Sequence, residues 1–329
     1  MKAILHSGKE GMEGLSFGEA EEPIVEKNQV KIKLFSSGMN RRDLIVTTRH
    51  KADQPPLIPG SDGAGIIVEL GGGVTNFQVG DEVIINPGLG WFGKSDAPPK
   101  GFEILGLPDN GTFAEYIVLP IENVVKKPSH LSFEEAGVIG LAGLTGYRAL
   151  FTRGQVKKGD TVLLPGIGSG VLTFILKYAK AIGARVIVTS RSEDKLAAAE
   201  KLGADKGILT QSDWNKELAD EKIDLVIESI GRATFNKSLS VLRKGGTLVT
   251  FGATTEDEID INIRTFFYAQ QNILGSTMGS GEEFNEMLHF IEKHQIKPEV
   301  DRVFHLSEYK TAFEYLSDSK NFGKIGFKI

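Results

Sequence analysis

The residues Thr161–Ile182, TVLLPGIGSGVLTFILKYAKAI, constrain the fold of this chain more than any other part. Val162–Leu164 is a short apolar run that reads as a buried strand. Val171–Ile182 reads as a helix, with Leu172, Ile175, Leu176 and Ala179 on one face. Between them lies a glycine-rich turn. Gly166, Gly168 and Gly170 let the backbone approach a bound group at the start of that helix. Free N–H groups and the positive end of the helix dipole make the place suited to a pyrophosphate. The strict dinucleotide pattern wants a further glycine where this chain has Val171, so the motif is imperfect. The buried strand before it, the helix after it and a second strand at Arg185–Thr189 favour a dinucleotide site over a plain tight turn. The expected contacts are Gly166, Ile167, Gly168, Ser169, Gly170 and Val171.

The neighbouring sequence keeps the same rhythm. A helix is predicted at Glu193–Leu202, a strand at Leu225–Ser229, a helix at Phe235–Leu242, and strands at Gly246–Phe251 and Asn272–Gly275. Strands alternating with helices build a parallel, doubly wound α/β sheet. The first third of the chain reads differently. Val30, Ile32 and Leu34 alternate with Lys31 and Lys33, the pattern of a half-buried strand. Further strands are predicted at Gly65–Leu70, Glu82–Asn86 and Ala114–Leu119, separated by turn residues such as Asn110-Gly111. The result is a small irregular β-barrel interrupted by a long loop, residues 86–110. Helices follow at Phe133–Val138 and Leu141–Arg153, and another at Glu282–Lys293. The tail, ending Lys324–Ile329, returns to complete the first domain. The predicted division is 1–126 with 281–329 for the barrel, and 127–280 for the dinucleotide domain.

A chain of 329 residues has room for about two domains. The net charge of −5 argues against a general nucleic-acid binder. Cysteine is absent, which excludes disulfides, thiolate metal sites and a cysteine nucleophile. The N-terminal MKAILHSG is too short in apolar residues for a secretion signal, and no run approaches a membrane span, so the expected location is the cytoplasm. The 39 glycines, roughly 12% against a usual 7%, fit turns and close backbone approaches.

Which dinucleotide binds is read from the tip of the second strand. An acid there would hold both ribose hydroxyls of NAD. This chain has Thr189-Ser190-Arg191-Ser192 instead. Ser190 leaves room for a 2′-phosphate, Arg191 can pair with it through its planar fork, and Lys195 can add a charge one turn on. NADP(H) is therefore the expected cofactor, against the plainer reading of a solvated Arg and Lys. Glu193 and Asp194 read as acids favoured at a helix start.

The motifs together resemble the medium-chain dehydrogenase/reductase superfamily over essentially the whole chain. They are GMNRRDL, PGSDGAGIIVELGGGVTNFQVGDEV, GTFAEYIVLP, LSFEEAGVIGLAGLTGYRAL, the glycine-rich turn, VTFGATT, ILGSTMGS and FGKIGFKI. The resemblance implies an α/β protein with a GroES-like β-barrel catalytic domain, a Rossmann domain inserted into it, and NAD(P)-linked hydride transfer. Zinc members bind catalytic zinc through a cysteine and through a histidine in a PGHE motif; here those positions are Asn40 and Ser61. The cysteines that hold structural zinc in the long loop are missing as well. The resemblance thus points to a member lacking both zinc sites, close to quinone oxidoreductases and enone reductases. Their acceptors are conjugated, and the protein supplies alignment and hydrogen bonds to a developing oxyanion. The alternatives are an alcohol dehydrogenase-like enzyme and a non-catalytic NADPH-binding protein on the same fold.

The resemblance also implies particular residues. Asn40 is either a donor to the substrate oxygen or a turn residue, and Asp43 matches an aspartate near the catalytic site. A tyrosine often found shortly after it is replaced by Leu44-Ile45-Val46. Thr145, Phe251, Gly252, Ala253, Ser276, Thr277, Met278, Gly323 and Lys324 match cofactor-contacting positions, although Met278 is equally a core residue by type. Trp91 and Phe92 either wall a flat ring or pack their own loop. The six histidines show no metal-ligand spacing, and Arg41, Arg42, Arg49, His50 and Lys51 read as a solvated face or the rim of an anionic-substrate site. Partners are a small-molecule substrate and a second copy, a homodimer pairing through Asn272–Met278.

Overall fold

A computed structural model describes residues 1–329. The chain forms two compact units, Met1–Leu144 with Gly279–Ile329, and Thr145–Met278. Residues 127–144, predicted with the second unit, belong to the first. Phe133 stacks on Phe35 at 4.9 Å, and the backbone N–H of Leu141 donates to Asp62 at 2.6 Å. Packing and a buried hydrogen bond, neither visible in local periodicity, move that boundary.

The second unit carries a six-stranded sheet, parallel throughout. Its order is Lys206–Leu209, Arg185–Ser190, Thr161–Leu164, Ile223–Glu228, Leu242–Thr250 and Asn272–Gly275. The order reverses direction beside Thr161–Leu164, so this is a doubly wound sheet with its switch point at the glycine-rich turn. Val162, Leu163 and Leu164 are fully buried, as strands covered on both faces must be. The helix after the turn runs Gly170–Ala181, capped by Ser169, whose hydroxyl accepts from the Leu172 N–H. The predicted helix 141–153 is an α-helix over Gly140–Tyr147 followed by a π turn over Arg148–Arg153. The helices Trp214–Glu217 and Ile263–Ala269 went unpredicted, being too short for a periodic signal.

The first unit is built on a mostly antiparallel sheet. Its order is Val300–His305, Lys324–Lys328, Gln29–Met39, Asp62–Leu70, Glu82–Ile85 and Val124–Lys126, with Tyr116–Pro120 also pairing Gln29–Met39. The alternation at Val30, Ile32 and Leu34 faces the core as expected. The closing strand Lys324–Lys328 pairs antiparallel to Gln29–Met39, with Ile325 opposite Met39. That pairing brings the end of the chain to the helix Arg41–Arg49, which periodicity did not reveal.

Candidate active site and cofactor turn

Asn40 sits between the long strand Gln29–Met39 and the helix Arg41–Arg49, as the helix's N-cap residue. Its backbone N–H donates to Asp43 Oδ2 at 2.7 Å, so the first turn of the helix fixes its position. Asp43 is completely buried, and its other oxygen, Oδ1, has no partner. Burial, partly offset by the Asn40 N–H and by Arg42, pushes the Asp43 carboxyl up to about 7. The hydrogen bond this buried carboxyl makes is to Asn40.

The Asn40 side chain belongs to a buried cluster drawn from four segments. Its Nδ2 donates to Asp62 Oδ2 at 2.9 Å. Its Oδ1 accepts from Lys324 Nζ at 2.5 Å. The same ammonium donates to Met39 O at 2.7 Å and lies 3.1 Å from Asp62 Oδ2. The Leu141 N–H, at the start of a helix, donates to Asp62 Oδ1. Close approach is required there, since a Cβ on Gly140 would lie 2.8 Å from that oxygen. Asp62 is 0% and Lys324 3% exposed, so this ion pair lies deep in the unit. Charge, satisfied hydrogen bonds and a helix N-terminus together offset its desolvation.

These residues do not fit a zinc ion. Zinc takes thiolate, imidazole and carboxylate ligands, and the one carboxylate here, Asp62, is already paired with the Lys324 ammonium. Here Met39 O, Asn40 Oδ1 and Asp62 Oδ2 surround an ammonium, and Ser61 Oγ is turned away, donating to Leu105 O at 2.8 Å. No three His, Asp or Glu side chains gather elsewhere in a metal-ligating group.

Asp62 escaped the sequence reading as a site residue. Its signal was a lone acid inside the apolar, glycine-rich run PGSDGAGII. Lys324 was expected at a cofactor contact; its ammonium is instead committed inside the first unit. Gly323 beside it has φ of +103°, and a Cβ would meet Glu299 O at 2.4 Å. In the basic stretch Arg41, Arg49 and Lys51 are exposed, as a solvated face requires, and two members depart from expectation. Arg42 donates to the carbonyls of Ile104, Leu105 and Leu107 and clamps the long loop. His50 is buried, with its Nδ1 2.8 Å from Nδ1 of His6. Trp91 is 1% exposed and bonded to Ser95, so it packs its own loop, whereas Phe92 is exposed.

In the second unit the expected cofactor residues gather at the carboxyl ends of the strands. Gly166 and Gly168 have φ of +76° and +130°, conformations that favour glycine. A Cβ on Gly166 would meet Ile230 Cδ1 at 2.5 Å. Thr189, missed from sequence, holds the turn: its Oγ1 accepts from Gly166 N–H and its carbonyl from Ile167 N–H. Ser190 is buried at the tip of its strand, and its Oγ accepts from Ser192 N–H. The Lys195 stem lies against Gly168, with Cδ 3.0 Å from where a Cβ would stand. The exposed Arg191 follows Ser190. Phe251, Gly252 and Ala253 follow one strand and Ser276, Thr277 and Met278 the next, joined where Ser276 N–H donates to Thr250 O. Ser276 Oγ is buried without a partner, and Met278 is buried at 2%. Thr145 is buried near the end of its helix. A glycine-lined turn that leads into a helix N-terminus fits a dinucleotide pyrophosphate.

Comparison with known proteins agrees with this architecture. Residues 26–129 match the alcohol dehydrogenase GroES-like domain, and residues 170–293 match the zinc-binding dehydrogenase family. The chain is 34% identical to a zinc-type alcohol dehydrogenase-like protein of Schizosaccharomyces pombe, covering 100% of this chain and 99% of the relative. It is 28% identical to an acryloyl-coenzyme A reductase of Metallosphaera sedula, with 99% of each covered. A crystal structure of an NAD-dependent alcohol dehydrogenase superposes with a TM-score of 0.93 at 34% identity, with 100% of both chains covered. The chain belongs to the medium-chain dehydrogenase/reductase superfamily, as an oxidoreductase with a GroES-like domain and a Rossmann-type domain that binds a nicotinamide cofactor. No helix is long and apolar enough to cross a membrane.

Proposed function

We propose that this chain is a zinc-independent, NADPH-dependent reductase of quinones or α,β-unsaturated carbonyls, working in the cytoplasm. The observation that carries the reading is the Asn40–Asp62–Lys324 cluster, which presents an amide donor where zinc relatives carry a metal ligand. A bound NADPH would supply hydride from its nicotinamide ring. A saturated alcohol must shed a proton as it gives up hydride, and stabilising that alkoxide is a metal's task. A conjugated acceptor spreads the incoming charge, so one N–H from Asn40 to the carbonyl oxygen suffices to favour the enolate. Asp43 acts through Asn40 as a positioning residue. Ser190, Arg191 and Lys195 support the choice of NADPH over NADH, and Thr145, Phe251–Ala253, Ser276–Met278 and Gly323 remain assigned to cofactor contact.

The test is NADPH oxidation with 1,4-benzoquinone, 9,10-phenanthrenequinone and a short enone, beside NADP⁺ reduction with ethanol and benzyl alcohol, before and after chelation. Turnover of the conjugated acceptors that survives chelation is expected. Alcohol oxidation with inert quinones and enones would favour the alcohol dehydrogenase reading, to which the names of the relatives lend weight. Tight NADPH binding with no turnover would favour a binding protein.

The working form we propose is a homodimer. The edge strand Asn272–Gly275 lacks a partner on one side, and Ile263, Phe267 and Tyr268 on the preceding helix are 66%, 54% and 76% exposed. An uncovered edge beside apolar side chains is a liability that a symmetric copy removes. Light scattering at micromolar concentration should give twice the chain mass; a monodisperse monomer would refute it.

A further inference from the structure

The cluster around Asn40 has a property that follows from counting hydrogens. An ammonium offers donors only, and a carboxylate offers acceptors only. Asn40 lies between one of each, with Lys324 Nζ 2.5 Å from its Oδ1 and Asp62 Oδ2 2.9 Å from its Nδ2. Turning the amide over would set NH₂ against the ammonium and oxygen against the carboxylate. Only one orientation is therefore allowed. The three ammonium hydrogens have three acceptors, Met39 O, Asn40 Oδ1 and Asp62 Oδ2. The Asp62 oxygens are taken up by Leu141, Asn40 and Lys324. What remains is the second hydrogen of Asn40 Nδ2, on a residue 7% exposed where Asp43 and Asp62 are fully buried.

We propose that Lys324 is a positioning residue that locks the Asn40 amide in the one orientation presenting this N–H to a substrate oxygen. The proposal rests on the reading of Asn40 as the oxyanion donor. It assigns Lys324 a role other than cofactor contact and gives the chain an internal cation in place of a metal. The lock works by pre-orientation: a donor already aimed needs no reorganisation as charge develops.

The experiment uses Lys324→Met and, because Lys324→Met leaves a buried carboxylate unpaired, Lys324→Met/Asp62→Asn. In Lys324→Met the Asp62 carboxylate still faces the Asn40 NH₂, so kcat with the conjugated acceptor should fall by less than about tenfold, with KM and the NADPH Kd nearly unchanged. Its melting temperature should fall. The double variant should regain the melting temperature while kcat falls by about 100-fold, the scale of losing one oxyanion donor, because neither the ammonium nor the carboxylate is left to dictate how the Asn40 amide is turned; Asp62→Asn alone, which keeps the ammonium, should fall by less than about tenfold. A kcat in the double variant no lower than in Lys324→Met would reduce Lys324 to a counter-ion and overturn the proposal. So would a tenfold loss of NADPH affinity with kcat intact, which would return Lys324 to the cofactor. If the native chain turns over no conjugated acceptor, the functional reading fails, and the lock is judged separately from the Asn40 side-chain ¹⁵N–¹H pair, identified by its loss in Asn40→Asp. The pair should be sharp and slow to exchange in the native chain and in Asp62→Asn, where the ammonium alone still dictates the turn, and averaged in Lys324→Met/Asp62→Asn; a pair equally sharp in the double variant would overturn the lock.

Discussion

The glycine-rich turn and the Asn40 cluster are the two candidate sites of this chain, and they are built in opposite ways. The turn is local: Gly166 to Ser169 and the helix after it are contiguous, and more distant residues such as Thr189, Lys195 and Ile230 only brace them. The cluster is non-local. Its members are 22, 262 and 284 residues apart along the chain, brought together by the pairing of Lys324–Lys328 with Gln29–Met39. The turn spends backbone conformation to make an open, positively biased cradle. The cluster uses buried charge to fix one donor. A perturbation in the cluster should therefore register in stability and its pH dependence, and one in the turn in cofactor affinity alone.

Asp43 gives the largest test of that difference. Burial raises its carboxyl from the ordinary 3.8 to about 7, with Asp62 adding to the rise and Arg42, Lys324 and the Asn40 N–H opposing it. The folded chain then holds a proton that the unfolded chain releases between pH 4 and 7. Its contribution is fully present below about pH 4 and is lost as pH rises through about 7, some ~4 kcal/mol over the whole interval. Asp43→Asn removes the titration and keeps an acceptor for Asn40. Urea unfolding followed at Trp91, in a Trp214→Phe background that leaves the first unit's tryptophan alone, should lose more stability from pH 5 to 8 in the native sequence than in Asp43→Asn, where burial of His6, which holds its imidazole below the ordinary range, leaves a profile that rises with pH. Parallel profiles would sink the assignment and weaken the contrast between the two regions.

The same contrast explains what the sequence revealed. Strand, turn and helix at 161–181 are read from neighbouring residues, and the parallel sheet follows from their alternation. The barrel strand at Val30, Ile32 and Leu34 was legible for the same reason. The helix Arg41–Arg49 was not, because its first residues are charged and only Asp43, Val46 and Thr47 are buried. Asn40 and Asp43 were recognised by motif, yet nothing local pointed to Asp62, or to a lysine from the far end of the chain filling the site. His6 and His50, without ligand spacing in sequence, meet side by side for the same reason: contact across 44 residues leaves no local trace. Trp91 followed the plainer alternative because its indole N–H had a partner within its own loop, four residues on.

Arg191 sharpens the other side of the comparison with a smaller effect. It is exposed at the start of the segment after Ser190, touches no core, and its loss should leave the melting temperature where it was. Its assigned task is to face the 2′-phosphate that distinguishes NADPH from NADH, beside the hydroxyl of Ser190 and the ammonium of Lys195. A charge-assisted contact of this kind is worth about 1.5–3 kcal/mol, so Arg191→Ala should weaken NADPH by roughly tenfold or more. NADH has no phosphate there and should bind as before. Fluorescence titration of both cofactors decides it: a selective loss for NADPH places the phosphate site at the tip of Arg185–Ser190, whereas equal losses would mean that Arg191 supports the turn as a whole and that the cofactor preference is set elsewhere.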